Sequence, residues 1–171
     1  MVDTVILPAV AEDAPALASL HAESWRSAYR GMLPDDYLDG PILDERLQFW
    51  GRRMADLDPA CTQVLKAVSE PGLVGFVCIV LEADAIWGAR LENLHVKPNL
   101  KGQGIGGRLF DAAVAWAQAA RPARPIHLWV LEQNLPARRF YEHRGGRVAD
   151  TKTIEVVPGV AVAEVRYIWD G

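Results

Sequence analysis

The amino-acid sequence predicts a mixed α/β domain, a mostly antiparallel central sheet of about seven strands flanked by helices. Three observations carry that expectation. Short β-rich apolar runs, residues 73–81 and 126–131 among them, are interspersed with stretches whose apolar residues recur every three or four positions. The apolar run at 89–96 reaches the next, at 126–131, through a helical segment, and such a crossover makes the two strands parallel. The other runs are coupled by tight turns, as antiparallel hairpins are.

Residues 4–7 form a short apolar run ended by Pro8, a first strand. Residues 11–29 place Leu17, Leu20, His21, Ser24, Trp25 and Ala28 at helical steps, and Gly31 stops that amphipathic helix. Pro34-Asp35-Asp36 opens a second helical piece, and Ile42, Arg46, Leu47, Trp50 and Met54 mark a third. Residues 62–68 partly alternate and 73–81 are continuously apolar; Glu70-Pro71-Gly72 between them reads as the turn of a hairpin. After a connection over 82–88 comes the strand at 89–96, then a polar, glycine-dense loop and a helix from about Ile105 to Ala119. Arg121-Pro122-Ala123-Arg124-Pro125 breaks that helix. Residues 126–131 are apolar enough to be buried on both faces. A short helix from Pro136 to Arg144 ends at Gly145-Gly146, and residues 147–157 and 160–169 close the chain as an antiparallel hairpin around Pro158-Gly159.

At 171 residues the chain has the size of one domain, residues 1–171, with room for a sizeable core. Hydrophobic residues make up 50% and charged residues 23%, an ordinary balance for a soluble globular protein. No apolar run approaches the length of a membrane helix, and Met1-Val2-Asp3-Thr4 lacks the basic start of a signal peptide, so a cytoplasmic protein with no membrane partner is expected. A net charge of −4 argues against nucleic acid as a partner, though not against a polyanionic ligand in a locally basic cleft. Cys61 and Cys78 are too few and too far apart for a disulfide scaffold or a metal site, and no metal is expected.

The most informative stretch is Leu94-His95-Val96-Lys97-Pro98-Asn99-Leu100-Lys101-Gly102-Gln103-Gly104-Ile105-Gly106-Gly107. It passes from a strand into a glycine-rich loop and then a helix entrance, where unpaired backbone N–H groups and the positive end of the helix dipole favour an anion. Glycines let a phosphate approach because no Cβ intervenes. Lys97, Lys101 and Arg108 add positive charge with no acidic residue between them. Gly102, Gly104 and Gly107 also spell the dinucleotide fingerprint, but that motif needs its glycines directly after the strand and enough further chain for a doubly wound sheet.

Lys101-x-x-Gly104-x-Gly106 resembles the acetyl-CoA loop of the GCN5-related N-acetyltransferases, whose usual pattern is Gln/Arg-x-x-Gly-x-Gly/Ala. Lys101 departs from it at the first position. A second stretch, Asn134-x-x-Ala137-x-x-Phe140-Tyr141-x-x-x-Gly145-Gly146, is similar to the family's segment after the fifth strand, and the order of elements matches along nearly the whole chain. The resemblance implies an acetyl-CoA-dependent N-acetyltransferase that moves an acetyl group to a primary amine by direct attack in a ternary complex. It also admits a catalytically silent acetyl-CoA-binding domain acting as a sensor or assembly module.

It further implies roles for individual residues. The strand at Leu94 and Val96 would pair with the pantetheine arm, and Lys101, Gly102, Gln103, Gly104, Ile105, Gly106 and Gly107 would take the diphosphate. Asn134 would bond the pantetheine arm or simply cap its helix, and Arg139, with Arg138, would meet the 3′-phosphate or only solvent. Tyr141 is the candidate general acid, a phenol protonated at neutral pH. For the general base Glu92 comes first, because strict alternation sets it on the side of Leu94 and Val96 and His95 on the other; His127 and Glu132 are further choices. Trp25 and Tyr29, followed by Gly31-Met32-Leu33-Pro34, are either core anchors or the wall of the acceptor pocket. By the same analogy the closing hairpin suggests a homodimer edge.

Overall fold

The structure, a computed structural model, describes residues 3–70 and 72–171. Among these residues the strands are β1 (Val5–Pro8), β2 (Thr62–Ser69), β3 (Gly72–Asp84), β4 (Gly88–Val96), β5 (Ile126–Leu131), β6 (Arg147–Val157) and β7 (Val160–Trp169). They form one seven-stranded sheet in the order β1-β2-β3-β4-β5-β7-β6. Only the β4–β5 pair is parallel, and every other neighbouring pair is antiparallel. The expected mixed, mostly antiparallel sheet is therefore present, with the parallel pair where the crossover helix requires it.

The helices are α1 (Ala14–Ala28), α2 (Asp35–Asp39), α3 (Ile42–Ala55), α4 (Ile105–Ala120) and α5 (Leu135–His143). The first begins later than its periodicity suggests. Residues Ala11–Asp13 form a 3₁₀ turn, because the Asp13 carboxylate accepts the Val10 N–H at 2.8 Å and an ammonium bond from Lys66, and Pro15 fits only a first turn. Strand β3 runs past Leu81 to Asp84, into the expected connection, and Asp84 Oδ1 then accepts the N–H groups of Ile86 and Trp87 to close a tight turn. Of the expected β2–β3 turn, Pro71 lies outside the described residues; Ser69 pairs with Gly72 across the hairpin.

Two apolar layers sandwich the sheet. On one face α4 lays Ile105, Leu109, Ala113 and Ala117 against Val77, Ile79 and Leu91. Gly75 of β3 permits that approach, since a Cβ there would stand 3.0 Å from Leu109 Cδ1 and 3.0 Å from the His95 carbonyl oxygen. On the other face α1 and α3 bring Leu17, Leu20, Trp50 and Met54 onto Val64, Phe76 and Cys78. Burial of Trp50 is complete, and its indole N–H is satisfied by donating to His21 Nδ1 at 3.0 Å. His21 is thus a core residue, although it shares a helix face with Trp25 and Tyr29.

Strand β4 is irregular along both of its edges. The β4–β5 pairing involves only Ala89 with Ile126 and Arg90 with His127, after which the strands part and leave their facing edges open. On its other side β4 carries a β-bulge: Leu91 faces Ile79 and Asn93 faces Cys78, with Glu92 as the extra residue.

Candidate active site

Where β4 and β5 part, a cleft of about 550 Å³ opens, within the range that holds a small ligand. One half is walled by the loop before α4, with Lys101, Gly102, Gly104, Ile105, Gly106 and Gly107 on its surface; Gln103, in the same loop, is not on that wall. Gly104 is the N-cap of α4 with φ +81°, a left-handed conformation, and a Cβ there would meet nothing within 4 Å. The first helical bond of α4 runs from the Arg108 N–H to the Gly104 carbonyl, so the preceding amides have no carbonyl within the helix. Such amides, a helix N-terminus and an open approach suit an anion. Lys101 adds its ammonium there, whereas Arg108 donates to the hydroxyl (2.7 Å) and carbonyl (2.8 Å) of Thr4.

Leu94 and Val96 line the cleft along the open edge of β4, and Asn134 stands opposite. Asn134 also caps α5 by accepting the Ala137 N–H at 3.3 Å, so helix capping and a place on the cleft wall coincide in one residue. Tyr141, from α5, is buried among Phe110, Phe140, Tyr167 and Trp169, and it too lines the cleft. Among the described residues its hydroxyl has no hydrogen-bond partner. Burial first, and then the neighbouring Tyr29, push its phenol well above the ordinary tyrosine range, so it holds its proton at neutral pH.

Trp25 and Tyr29 resolve as pocket wall: both line the cleft, in edge-to-face contact with ring centroids 5.0 Å apart. The Tyr29 phenol is pushed up to about 12 by burial and then by Glu164. Glu164 thus lies near Tyr29, and Tyr29 near Tyr141.

The bulge corrects the expectation for Glu92. Before it, Ala89 and Leu91 face α4; after it, Leu94 and Val96 do. The extra residue reverses the alternation, so Glu92 does not share the side of Leu94 and Val96, and His95 is not on the face opposite to Glu92. Both belong to the side of α1 and α3. Glu92 is ion-paired with Arg53 of α3 and with Arg90, and His95 Nδ1 lies 2.9 Å from Ser24 Oγ of α1. Burial, followed by Lys101 and Arg46, pulls the His95 imidazole down to about 3, so it is neutral at physiological pH. Both residues line the cleft. His127 is buried with its Nδ1 3.0 Å from the Trp87 carbonyl, away from the cleft wall, and Glu132 is exposed.

The acetyltransferase (GNAT) family model matches residues 17–146. The chain belongs to the GNAT family. Probable N-acetyltransferase Rv2775 of Mycobacterium tuberculosis is 32% identical over 162 residues, covering 91% of this chain and 87% of that protein. The uncharacterized N-acetyltransferase YuaI of Bacillus subtilis is 26% identical, with coverages of 92% and 88%. Among solved structures, the PaiA N-acetyltransferase of Thermoplasma acidophilum in complex with coenzyme A superposes with a TM-score of 0.74 at 23% identity, covering 95% of this chain and 98% of that one. The sequence thus shows a member of the GNAT family, and the superposition shows the fold of a solved N-acetyltransferase.

Within this GNAT domain the cleft wall includes residues not singled out from the sequence, among them Arg144, Asn93 and Glu164. Arg144 lines the anion half, beside Gly107, where a Cβ would collide with its guanidinium. It stacks on Phe110 and Phe140 at 5.2 and 5.1 Å and pairs with Asp111. Arg139, expected to meet the 3′-phosphate or only solvent, is exposed and off the wall, and Arg138 donates to the Tyr167 hydroxyl. The exposed face of α5 turns Arg139 outward, while the helix C-terminus carries Arg144 back toward α4. Asn93 and Glu164 line the other half. Asn93 became visible only with the bulge, and Glu164 only with the β5–β7 pairing that sets it beside Leu131.

Proposed function

We propose that this GNAT protein transfers an acetyl group from acetyl-CoA to a primary amine by direct attack within a ternary complex. The observation that carries the reading is the parting of β4 and β5, which joins the glycine loop and the Tyr141 phenol in one continuous cleft. The residues fit the group: a left-handed Gly104 with open space before it, the first-turn amides of α4, and Lys101 form a cradle for a diphosphate. When bound, acetyl-CoA supplies an activated thioester carbonyl.

The chain's own residues then have distinct tasks. The free edge of β4 at Leu94 and Val96 offers backbone groups to the pantetheine arm as an added strand would, and Asn134 offers its amide from across the cleft. A backbone N–H beside Val96 serves as donor to the oxyanion that develops during attack. Tyr141, its proton firmly held, protonates the departing thiolate. Glu92 takes the acceptor's proton through water; two guanidinium groups already engage its carboxylate, and direct abstraction would disrupt those contacts.

Release of free thiol tests this reading, with acetyl-CoA and a panel of primary amines. Amine-dependent release with intersecting initial-velocity patterns is the expected result. Parallel lines would replace direct attack with an acyl-enzyme, and acetyl-CoA binding without release for any amine would identify a silent domain.

A further inference from the structure

Acetyl transfer to an amine leaves the acceptor's own chemistry undefined, and resting on that reading we infer that the acceptor is a carboxylate-free primary amine with an apolar body, its ammonium received by Glu164 and Asn93. The acceptor half of the cleft has aromatic and aliphatic walls: Trp25 and Tyr29 from α1, Trp129 and Leu131 from β5, Ile154 and Val156 from β6. Such walls suit a hydrophobic body and give nothing to a strongly hydrated one. On the wall itself the buried polar atom without a partner is an oxygen. Among the described residues Asn93 Oδ1 is buried with no hydrogen-bond donor, at a bulge that holds it in place. An N–H donor would remove the desolvation penalty of leaving it so. Glu164, with its side chain 15% exposed, has among these residues only Lys152 at 3.5 Å as an ionic partner.

The nearby cations among the described residues are engaged or stand off the cleft wall: Arg46 Nε and Arg166 Nε and Nη1 are buried without hydrogen-bond partners, but neither residue lines the cleft. Arg53 and Arg90 hold Glu92, and Arg46 lies 4.8 Å over the Trp25 ring with Glu45 at 3.7 Å. Lys152 rests on the Trp129 ring at 4.1 Å. Arg166 is sandwiched between Trp87 and Trp129 at 4.6 and 4.5 Å, within 4.0 Å of Asp84 and 3.9 Å of Asp150. Lys101 and Arg144 stand at the diphosphate end. An α-carboxylate brought in beside the amine would therefore meet Glu164 and Glu92 with no cation on that part of the wall, a like-charge arrangement that discriminates against amino acids. An ammonium without that carboxylate meets complementary charge. Tyr29 stands in electrostatic reach of both Glu164 and Tyr141, so a nitrogen held near Glu164 is close to the reacting end.

The experiment compares phenethylamine with phenylalanine as acceptors, by thiol release, for the full chain and for Glu164→Gln and Asn93→Ala. Phenethylamine should exceed phenylalanine at least tenfold in kcat/KM. Glu164→Gln should raise its KM about tenfold, narrow that preference and leave acetyl-CoA affinity by calorimetry unchanged; Asn93→Ala should raise the KM in the same sense. Phenylalanine equal to or better than phenethylamine would overturn the inference while leaving acetyl transfer intact. An unchanged KM in Glu164→Gln would do the same. Release with neither compound while another primary amine of the panel releases thiol would overturn this inference alone; release with no amine of the panel from protein that binds acetyl-CoA would overturn the acetyl-transfer reading and this inference together.

Discussion

In the proposed reaction the proton for the leaving thiolate comes from one phenol, that of Tyr141. Its ring is fixed by four aromatic neighbours, and its hydroxyl has no hydrogen-bond partner among the described residues, so Tyr141→Phe removes an oxygen without unpairing anything. That substitution should lower kcat on the order of a hundredfold, the scale of a lost general acid, with acetyl-CoA affinity unchanged by calorimetry. Equal turnover would remove Tyr141 from the acid role. His21 and His95 make a second prediction at this scale. Their rings lie 4.5 Å apart, both held below the ordinary histidine range chiefly by burial, His95 at about 3. The unfolded chain then binds more protons than the folded one between the unfolded value near pH 6.5 and the folded value. Stability is complete above about pH 6.5 and falls as the pH is lowered toward 3. Lowering the pH from 7.5 to 5.5 should cost about 1 kcal/mol for His95, with His21 acting in the same direction, read as a lower urea midpoint, and His95→Gln should lose its share of the dependence. A midpoint independent of pH across that interval would show that neither histidine is protonated on unfolding.

At the scale of elements, the loop entering α4 and the bulge in β4 do most to define the cleft. Gly104 is required twice, for its left-handed φ and for the open space before it. Asp at that position retains some tolerance for the left-handed region but places a carboxylate where a diphosphate would lie. Gly104→Asp should abolish measurable coenzyme A binding in calorimetry while the far-ultraviolet circular dichroism stays unchanged; retained affinity would place the phosphates elsewhere. The bulge acts differently, because it changes which side chains face the acceptor. Without the extra residue, Glu92 would lie with Leu94 and Val96, among α4's apolar contacts, and would forfeit its pairing with Arg53.

For the whole molecule, the sheet is continuous through its backbone except where β4 and β5 part, and that opening is the weakest seam in the architecture. A ligand bridging both strands should stabilise the fold as a unit. Acetyl-CoA at about 100 times its Kd should add roughly 2.7 kcal/mol and raise Tm by roughly 5–10 °C, whereas NAD should leave it unchanged. A shift with NAD and none with acetyl-CoA would revive the dinucleotide reading of the same glycines. Among the described residues no helix is long and apolar enough to cross a membrane.

The strands from β2 to β7, the crossover helix and the glycine loop were legible because each depends on local periodicity or on turn chemistry carried by adjacent residues. Trp25 and Tyr29 remained divided between core and pocket, since a helix face is apolar in either case; the gap between β4 and β5 decided it. Glu92 was placed on the wrong side because a bulge depends on strand pairing, which alternation along one strand does not report. Arg144 is not distinguished in the sequence from the other basic residues on or just after one short helix, and only the packing of α5 against Phe110 sets it on the cleft wall. The sequence by itself therefore determined the order of elements, the glycine-rich turn before α4 and the tyrosine of α5, all written in short-range patterns. The tertiary structure alone decided which carboxylates and amides share the cleft, because residues far apart in the chain meet there only after the strands have paired and parted.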